Sequence, residues 1–220
     1  MKSKITSKKL KAPDKLLKTM LEFVGYLKHN VKLYLSLAVA IVLITVVVVT
    51  VNYFTSRREE NARKVLYALG QKIQTVNPDK PEDVTKMIED VLPKLGNTNA
   101  RFEAQYMLAE MYYNTKNWDK AISNYDAVIK KADGLVKGLS LLGTAYSKEN
   151  KGDTKGALEA FTKLKGKDGS IYKAVAMLGV ARCYQKLGDK NGALAAYESV
   201  IIAYPDTDFA RLASAAKVEL

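Results

Sequence analysis

The feature that most constrains this 220-residue chain is an uncharged segment of 24 residues, from Leu33 to Ser56. Residues 33–51 read LYLSLAVAIVLITVVVVTV and are almost wholly apolar. As a helix rising 1.5 Å per residue, such a segment extends about 36 Å, more than the hydrocarbon core of a bilayer. Tyr34, Tyr53 and Phe54 lie where aromatic side chains meet membrane interfaces. Residues 33–56 are therefore predicted to form a transmembrane helix, with a buried helix of a soluble protein as the less favoured alternative.

The position of this segment favours an uncleaved signal anchor. It is too long and begins too far from the N-terminus for a usual secretory signal peptide. Residues 52–58, NYFTSRR, follow it and offer no small-x-small cleavage site. The segment is therefore expected to remain as a single membrane anchor.

Lysines predict the orientation of the anchor. Residues 1–32 contain nine lysines against Asp14 and Glu22, and so carry +7 of the formal net charge of +12. Residues 57–64 contain four basic side chains against Glu59 and Glu60. By the positive-inside rule, the N-terminus is expected in the cytoplasm and residues 57–220 on the far side of the membrane.

The basic tail is expected to contact anionic lipid head groups rather than nucleic acid, because no nucleic-acid-reading element accompanies its charge. Between residues 14 and 29, apolar side chains recur at helical spacing: Leu16, Leu17, Met20, Leu21, Val24 and Leu27. This pattern predicts an amphipathic helix that lies in the plane of the interface. A solvated tail whose lysines only set the topology is an equally consistent alternative.

A pattern of small and aromatic residues occurs three times after the anchor. Its first part is Leu108-Ala109-x-x-Tyr112, Leu142-Gly143-x-x-Tyr146 and Val180-Ala181-x-x-Tyr184. Its second part is Ala121-x-x-x-Tyr125, Ala157-x-x-x-Phe161 and Ala193-x-x-x-Tyr197. Small residues let two antiparallel helices approach closely, and a ring four residues later covers the neighbouring pair. The pattern therefore predicts three helix pairs.

The spacing of the pattern is regular in only one of its parts. The second parts lie 36 and 36 residues apart, whereas the tyrosines of the first parts lie 34 and 38 residues apart. This difference predicts a turn between Tyr146 and Ala157 that is two residues longer than its counterparts. Asp119 and Asp153 are expected to cap the second helices of their pairs.

The pattern resembles the tetratricopeptide repeat, whose motif is W-x2-L-G-x2-Y, A-x3-F and a final Pro. The resemblance covers roughly residues 102–205, with Gln105, Leu139 and Met177 in the tryptophan place and Pro205 alone in the proline place. Together with the apolar segment, it predicts an all-α fold with a single N-terminal transmembrane helix followed by a solenoid of about four helix pairs and a capping helix. The expected domains are a basic cytoplasmic tail (1–32), the anchor (33–56), a linking helix with a degenerate first repeat (57–100), three repeats (101–205) and a capping helix (206–220) that Asp206 or Thr207 begins.

In that repeat family, the first helices line a concave face that binds segments of other proteins. Carried over by position, the expected partner-binding groove consists of Glu103, Tyr106, Glu110, Tyr113 and Asn114, then Lys137, Ser140, Thr144, Ser147 and Lys148, then Val175, Leu178, Arg182, Gln185 and Lys186. Tyrosine, arginine and polar side chains suit a reversible protein interface. A plain solvated helix face is the alternative interpretation.

The sequence offers little for catalysis, and no enzyme, cofactor, metal site or small-molecule substrate is expected. His29 is the only histidine, and no phosphate-binding, zinc-binding or hydrolase motif occurs. Residues 166–170 are glycine-rich but lack phosphate-loop spacing, so they are interpreted as a turn between repeats. The single cysteine, Cys183, excludes a disulfide framework and is expected to be a small buried residue.

The whole layout, with Asn61-Ala62-Arg63-Lys64-Val65-Leu66-Tyr67-Ala68 just after the anchor, is similar to the YfgM-like ancillary subunits of the bacterial Sec translocon. This resemblance implies a protein of the bacterial inner membrane whose periplasmic repeat domain is an adaptor for translocon subunits and periplasmic chaperones. One alternative is a structural or assembly scaffold of a cell-envelope complex for division or outer-membrane assembly. Another reverses the topology and gives a cytosol-facing import receptor on an organelle.

Overall fold

The structure is a computed structural model that describes residues 15–77, 80–165 and 172–220. All regular elements in these residues are helical, as predicted. They are α1 (Lys15–His29), α2 (Val31–Ile73), α3 (Pro81–Val91), α4 (Asn99–Asn114), α5 (Trp118–Ile129), α6 (Gly134–Lys151), α7 (Thr154–Lys165), α8 (Lys173–Lys186), α9 (Lys190–Ala203) and α10 (Asp208–Val218), with a 3₁₀ turn at Leu92–Leu95. The glycine-rich residues 166–170 lie outside the described residues. The chain divides into two compact units, Met1–Ser56 and Arg57–Leu220.

The first unit contains α1 and the N-terminal part of α2. All leucine, isoleucine and valine side chains from Leu33 to Val51 are exposed, and α2 is long and apolar enough to span a membrane. None of the most apolar stretch of α2 is buried inside the protein, unlike the core helix of a soluble protein. The hydroxyls of Ser36 and Thr45 donate hydrogen bonds of 2.8 Å to carbonyl oxygens of the same helix. These polar groups are therefore satisfied without water, as a bilayer requires.

The amphipathic helix predicted over residues 14–29 is observed as α1, Lys15–His29. Leu17, Met20, Leu21 and Val24, which belong to its predicted apolar face, are exposed to solvent. The side chains of Leu16 and Leu27 lie outside the described side chains. An exposed apolar face with lysines beside it is the composition of helices that bind at membrane surfaces.

In the second unit, two junctions between successive helix pairs are built in the same way. The buried ring of Tyr125 in α5 lies against Gly143 of α6, and the buried ring of Phe161 in α7 lies against Gly179 of α8. A Cβ at either glycine would overlap the ring. We call each arrangement a ring-and-glycine junction. Because ring and glycine are 18 residues apart in both, and the rings are 36 residues apart, the structure repeats every 36 residues.

The turns within the helix pairs follow the same interval. In each turn one residue adopts a positive φ, namely Lys116, Gly152 and Gly188. The next residue caps the second helix by accepting a hydrogen bond from a backbone N–H three residues later, and these caps are Asn117, Asp153 and Asp189. The turns therefore have equal length in all three pairs.

This regularity corrects the predicted length of one turn. The turn between Tyr146 and Ala157 has the same length as its counterparts, because Tyr146 lies two residues before the place that Tyr112 and Tyr184 occupy in their repeats. Its ring packs edge-on against Phe161, with 5.3 Å between ring centroids, instead of taking the motif tyrosine's place. The Asp153 cap is confirmed.

The predicted Asp119 cap is wrong, because Asn117 caps α5. Asp119 lies in the first turn of that helix and pairs with Lys151. A carboxylate two residues past the cap cannot satisfy the first free N–H groups as the cap residue does.

Helices outside the three pairs pack on them. Leu69 of α2, Ile88 of α3 and Leu95 of the 3₁₀ turn are buried in one apolar cluster with residues of α4. Glu59 of α2 accepts hydrogen bonds from the first N–H groups of α4, at 2.9 Å from Asn99 and 3.3 Å from Ala100. These contacts tie the linking helix to the first of the three pairs.

The C-terminal helix α10 packs against α9 and α8. Thr207 is its N-cap, with its hydroxyl accepting a hydrogen bond of 3.3 Å from the N–H of Ala210. Of the two residues expected to begin this helix, the structure therefore selects Thr207 over Asp206. Ala213 of α10 is fully buried in the same cluster as Tyr197 and Val200 of α9, so the helix covers the end of the stack.

Candidate protein-binding groove

The 36-residue interval identifies equivalent positions on the first helices α4, α6 and α8. We call the following set the inner groove: Glu103, Tyr106, Glu110, Tyr113 and Asn114 on α4; Leu139, Leu142, Tyr146, Glu149 and Asn150 on α6; Val175, Leu178, Arg182, Gln185 and Lys186 on α8. Side chains from neighbouring helices meet along it. Asn150 donates a hydrogen bond of 2.8 Å to the Tyr113 hydroxyl, and Arg182 donates to Glu149. The α4 and α8 members are those that the sequence predicted.

The α6 members differ from the predicted Lys137, Ser140, Thr144, Ser147 and Lys148 by two residues. Ser140, Thr144 and Ser147 are buried, and the Ser140 hydroxyl donates to the carbonyl oxygen of Val136 at 2.8 Å. Buried side chains offer no surface to a partner, so these three positions leave the candidate groove. Leu178 of α8 and Glu149 of α6 are also buried, so neither is part of the open surface of the inner groove; Leu178 contributes to the core, and Glu149 accepts hydrogen bonds from Arg182.

The sequence contained a signal for the correct α6 positions. The turns Lys151-Gly152-Asp153 and Leu187-Gly188-Asp189 are 36 residues apart and share the Gly-Asp pair. Aligning the first helices on these turns, rather than on Tyr146, would have placed Leu139, Leu142 and Tyr146 in the groove. The sequence prediction missed these three residues because it aligned Tyr146 with the motif tyrosines, although Tyr146 lies two residues before their place in the repeat.

A pocket of about 200 Å³ opens between α4 and α6, and we call it the α4–α6 pocket. Its lining consists of Tyr106, Glu110, Tyr113, Tyr125, Leu139, Leu142, Gly143 and Tyr146. Tyr125 donates a hydrogen bond to the carboxylate of Glu110. Burial, together with this bond, raises the pKa of Tyr125, so its hydroxyl stays protonated and the bond persists at neutral pH. The pocket therefore has aromatic walls and one fixed carboxylate.

A charged group lies next to this pocket, where α6 meets α8. The side chain of Glu149 is 5% exposed and accepts hydrogen bonds from Arg182 Nε at 3.2 Å, Arg182 Nη2 at 2.9 Å and Lys186 Nζ at 2.9 Å. Burial alone would raise the pKa of Glu149, but the bonds from the two cations hold it below its ordinary value. One carboxylate facing two cations leaves a net positive charge.

That positive charge is open to a partner. The side chain of Arg182 is 34% exposed and that of Lys186 is 48% exposed. The guanidinium of Arg182 also lies over the rings of Tyr146 and Phe161, at 5.6 Å and 5.8 Å from their centroids. Bidentate pairing and ring contacts fix the orientation of the arginine before any ligand arrives. A partner carboxylate would thus meet a preoriented cation.

Residues with chemistry outside the groove have ordinary structural roles. Cys183 is fully buried, as predicted, and burial raises the pKa of its thiol to about 11, so the thiol is protonated at neutral pH. In residues 15–77, 80–165 and 172–220, no group of three His, Cys, Asp or Glu side chains is placed to hold a metal ion.

Two segments of the chain, residues 103–133 and 175–207, match the family model of the tetratricopeptide repeat. These two segments are similar to tetratricopeptide repeats. Their starts lie 72 residues apart, which is twice the interval found in the structure. The family model does not match the middle repeat, so the alignment of α6 rests on the packing and the turns of the structure.

Solved structures share the fold at low sequence identity. A tetratricopeptide repeat protein from Parabacteroides merdae ATCC 43184 has 14% identity and a TM-score of 0.55, with 72% of this chain and 58% of that chain covered. MamA from Desulfovibrio magneticus RS-1 has 13% identity and a TM-score of 0.52, with 68% and 77% covered. YrrB, a TPR protein with an unusual peptide-binding site, has 18% identity and a TM-score of 0.51, with 62% and 66% covered. Comparison with curated protein sequences gives no match.

Proposed function

We propose that the protein is a membrane-anchored, non-enzymatic adaptor that binds another polypeptide in the inner groove. The observation that carries this proposal is the preoriented Arg182 over the ring of Tyr146, which lines one pocket together with the partly buried Tyr106 and Tyr113. Tyrosine and arginine dominate the energetics of protein interfaces, and stacked helix pairs present extended binding surfaces. The peptide-binding site of YrrB, which shares the fold, supports a polypeptide as the ligand.

The anchor is the apolar part of α2, and residues 33–56 span the bacterial inner membrane with the N-terminus in the cytoplasm. The lysine-rich residues 1–32 and the exposed apolar side chains of α2 support this arrangement. Helix α1 and its neighbouring lysines contact anionic head groups at the cytoplasmic surface. Residues 57–220 lie in the periplasm, with 57–100 as the linking helix and degenerate first repeat, 101–205 as the three repeats and 206–220 as the cap.

The topology is tested by protease digestion of intact cells, spheroplasts and lysed spheroplasts. Residues 57–220 are expected to resist digestion in intact cells and to be digested in spheroplasts, where only the outer membrane is open. Protection until the inner membrane is lysed would place this unit in the cytoplasm and contradict the orientation.

The similarity of the layout to the YfgM-like translocon subunits supports channel subunits and periplasmic chaperones as the partners. A scaffold for a division or outer-membrane assembly complex is the second candidate, because the same repeat fold and anchor would serve it equally. Only the identity of the bound protein separates the two functions.

The groove variant Tyr106→Ala/Tyr113→Ala/Arg182→Ala tests the function in the full-length protein after mild crosslinking in cells. The wild type and the control Asp119→Ala/Lys155→Ala/Asn191→Ala, which changes exposed residues of the second helices, are expected to recover channel subunits and periplasmic chaperones. The groove variant is expected to lose them. Recovery of division or outer-membrane assembly components instead would favour the scaffold, and equal recovery by all three proteins would contradict binding in the groove.

A further inference from the structure

The junction before α4 differs from the two ring-and-glycine junctions. At the positions 36 residues earlier than their first ring and glycine, the chain has Glu89 and Met107. Glu89 is exposed, and its carboxylate accepts a hydrogen bond of 2.5 Å from the Tyr112 hydroxyl. The position that holds Tyr125 or Phe161 in the other two junctions therefore holds a carboxylate here.

An open pocket of about 250 Å³ lies at this junction, and we call it the α2–α4 pocket. Its lining consists of Ile73, Val84, Ile88, Tyr106, Met107, Glu110 and Met111. Apart from Tyr106 and Glu110, every side chain is apolar, and the two methionines are the most adaptable of the apolar residues. The pocket is smaller than the roughly 300–1,000 Å³ typical of small-molecule sites, so it suits one bulky side chain of a larger ligand.

The α2–α4 pocket continues into the inner groove. Tyr106 and Glu110 belong to the lining of both this pocket and the α4–α6 pocket, so the two openings lie on either side of the same pair of residues. A polypeptide in the groove that contacts these two residues therefore reaches both pockets.

The two ends of this path differ in polarity. At the α4 end, five of the seven residues that line the α2–α4 pocket are apolar, and the Glu110 carboxylate accepts a hydrogen bond from Tyr125. At the α8 end, Arg182 and Lys186 outnumber Glu149 and leave a net positive charge. A complementary segment is therefore apolar at the α4 end and acidic toward α8.

We propose that the α2–α4 pocket binds a bulky apolar side chain of a partner polypeptide whose acidic residues extend along the groove to Arg182 and Lys186. The inference rests on the proposed function, in which the inner groove binds a polypeptide. It adds the α2–α4 pocket as a second contact site for the bound polypeptide. It also specifies the chemistry of the bound segment and the direction in which that segment lies.

The test uses the full-length protein in nanodiscs and a phage-displayed library of random twelve-residue peptides. Selected peptides are expected to combine Leu, Met or Phe with Asp or Glu several residues away. A selected peptide is then synthesised, and its affinity is measured by fluorescence anisotropy. Met107→Phe, which narrows the pocket, is expected to weaken binding at least tenfold, whereas the exposed control Leu212→Phe leaves it unchanged.

The acidic end is tested separately. Lys186→Gln is expected to weaken binding of the acidic peptide severalfold and to leave its amide counterpart, with Asn and Gln for Asp and Glu, unaffected. A thermal melt of each variant confirms that it is folded.

The possible failures are distinguishable. If no peptide is selected, both the proposed function and this inference are overturned. If selected peptides lose affinity with Arg182→Gln but keep it with Met107→Phe, the groove binds polypeptides and the α2–α4 pocket is not an anchor point. Selection of basic instead of acidic peptides overturns the proposed chemistry.

Discussion

The ring-and-glycine junctions and the junction before α4 occupy corresponding places in the repeat, yet they use the space between helices differently. At the first two, Phe161 or Tyr125 fills the space and lies against a glycine. At the third, Glu89 points to a neighbouring hydroxyl, and an apolar pocket stays open. The residues at two positions of the repeat thus differ between junctions in which a ring fills the space and the junction with an open pocket.

The largest expected difference between the two kinds of junction concerns the ring itself. Phe161→Ala is expected to lower the free energy of unfolding by about 3–5 kcal/mol, because it leaves a cavity in a fully packed site. Glu89→Ala, at the corresponding place, is expected to cost about 1 kcal/mol, since it removes one partly buried hydrogen bond and leaves no large cavity. Urea denaturation of both variants, followed by circular dichroism, measures the difference. Equal costs would show that the junctions are not built differently.

The glycines sharpen the comparison. Gly179→Ala is expected to cost about 1–3 kcal/mol, because the new Cβ would overlap the Phe161 ring. Gly70→Ala, in α2, meets no atom within 4 Å and is expected to stabilise the protein by about 0.5–1 kcal/mol through helix propensity. The melting temperatures of the two variants are expected to shift in opposite directions from that of the wild type. A lower melting temperature for Gly70→Ala would contradict the free space beside Gly70.

The charged group at the α8 end gives a pH-dependent effect. Because the pKa of Glu149 in the folded protein is lower than its ordinary value of 4.5, its ionised form stabilises the fold above that pH. This contribution is lost as the pH falls from 4.5 through the lowered folded value. Glu149→Gln is therefore expected to lose less stability than the wild type on acidification through this range. Parallel curves of melting temperature against pH for the two proteins would exclude the effect.

The smallest expected effects concern the turns. Asp189→Ala is expected to cost about 1 kcal/mol, because it removes the N-cap of α9. Asp119→Ala is expected to cost less than about 0.5 kcal/mol, since it breaks only an exposed ion pair. Chemical denaturation of the two variants compares a true cap with a carboxylate two residues past the cap position. A larger cost for Asp119→Ala would contradict the alignment of the turns.

The sequence predicted the features that depend on composition and long periodic patterns. The 24-residue uncharged segment and the spacing of Ala121, Ala157 and Ala193 were sufficient to predict a spanning-length helix and the helix pairs. The motif tyrosines misplaced the α6 positions of the groove, because Tyr146 mimics a motif tyrosine, whereas the Gly-Asp turns and the packing of Tyr125 on Gly143 give the same 36-residue alignment. The α2–α4 pocket depends on how Ile73, Val84 and Ile88 pack against α4, which no local pattern encodes.

One measurement tests the central claim, that the inner faces of the first helices bind a polypeptide in a 36-residue register. A photo-crosslinking amino acid is placed singly at Asn114, Asn150 and Lys186, which are exposed and equivalent in the groove, and at the exposed controls Asp119, Lys155 and Asn191 on the second helices. In cells, the first three positions are expected to crosslink to another protein, whereas the control positions are expected to give no crosslink. Crosslinks from the control positions alone would contradict the account.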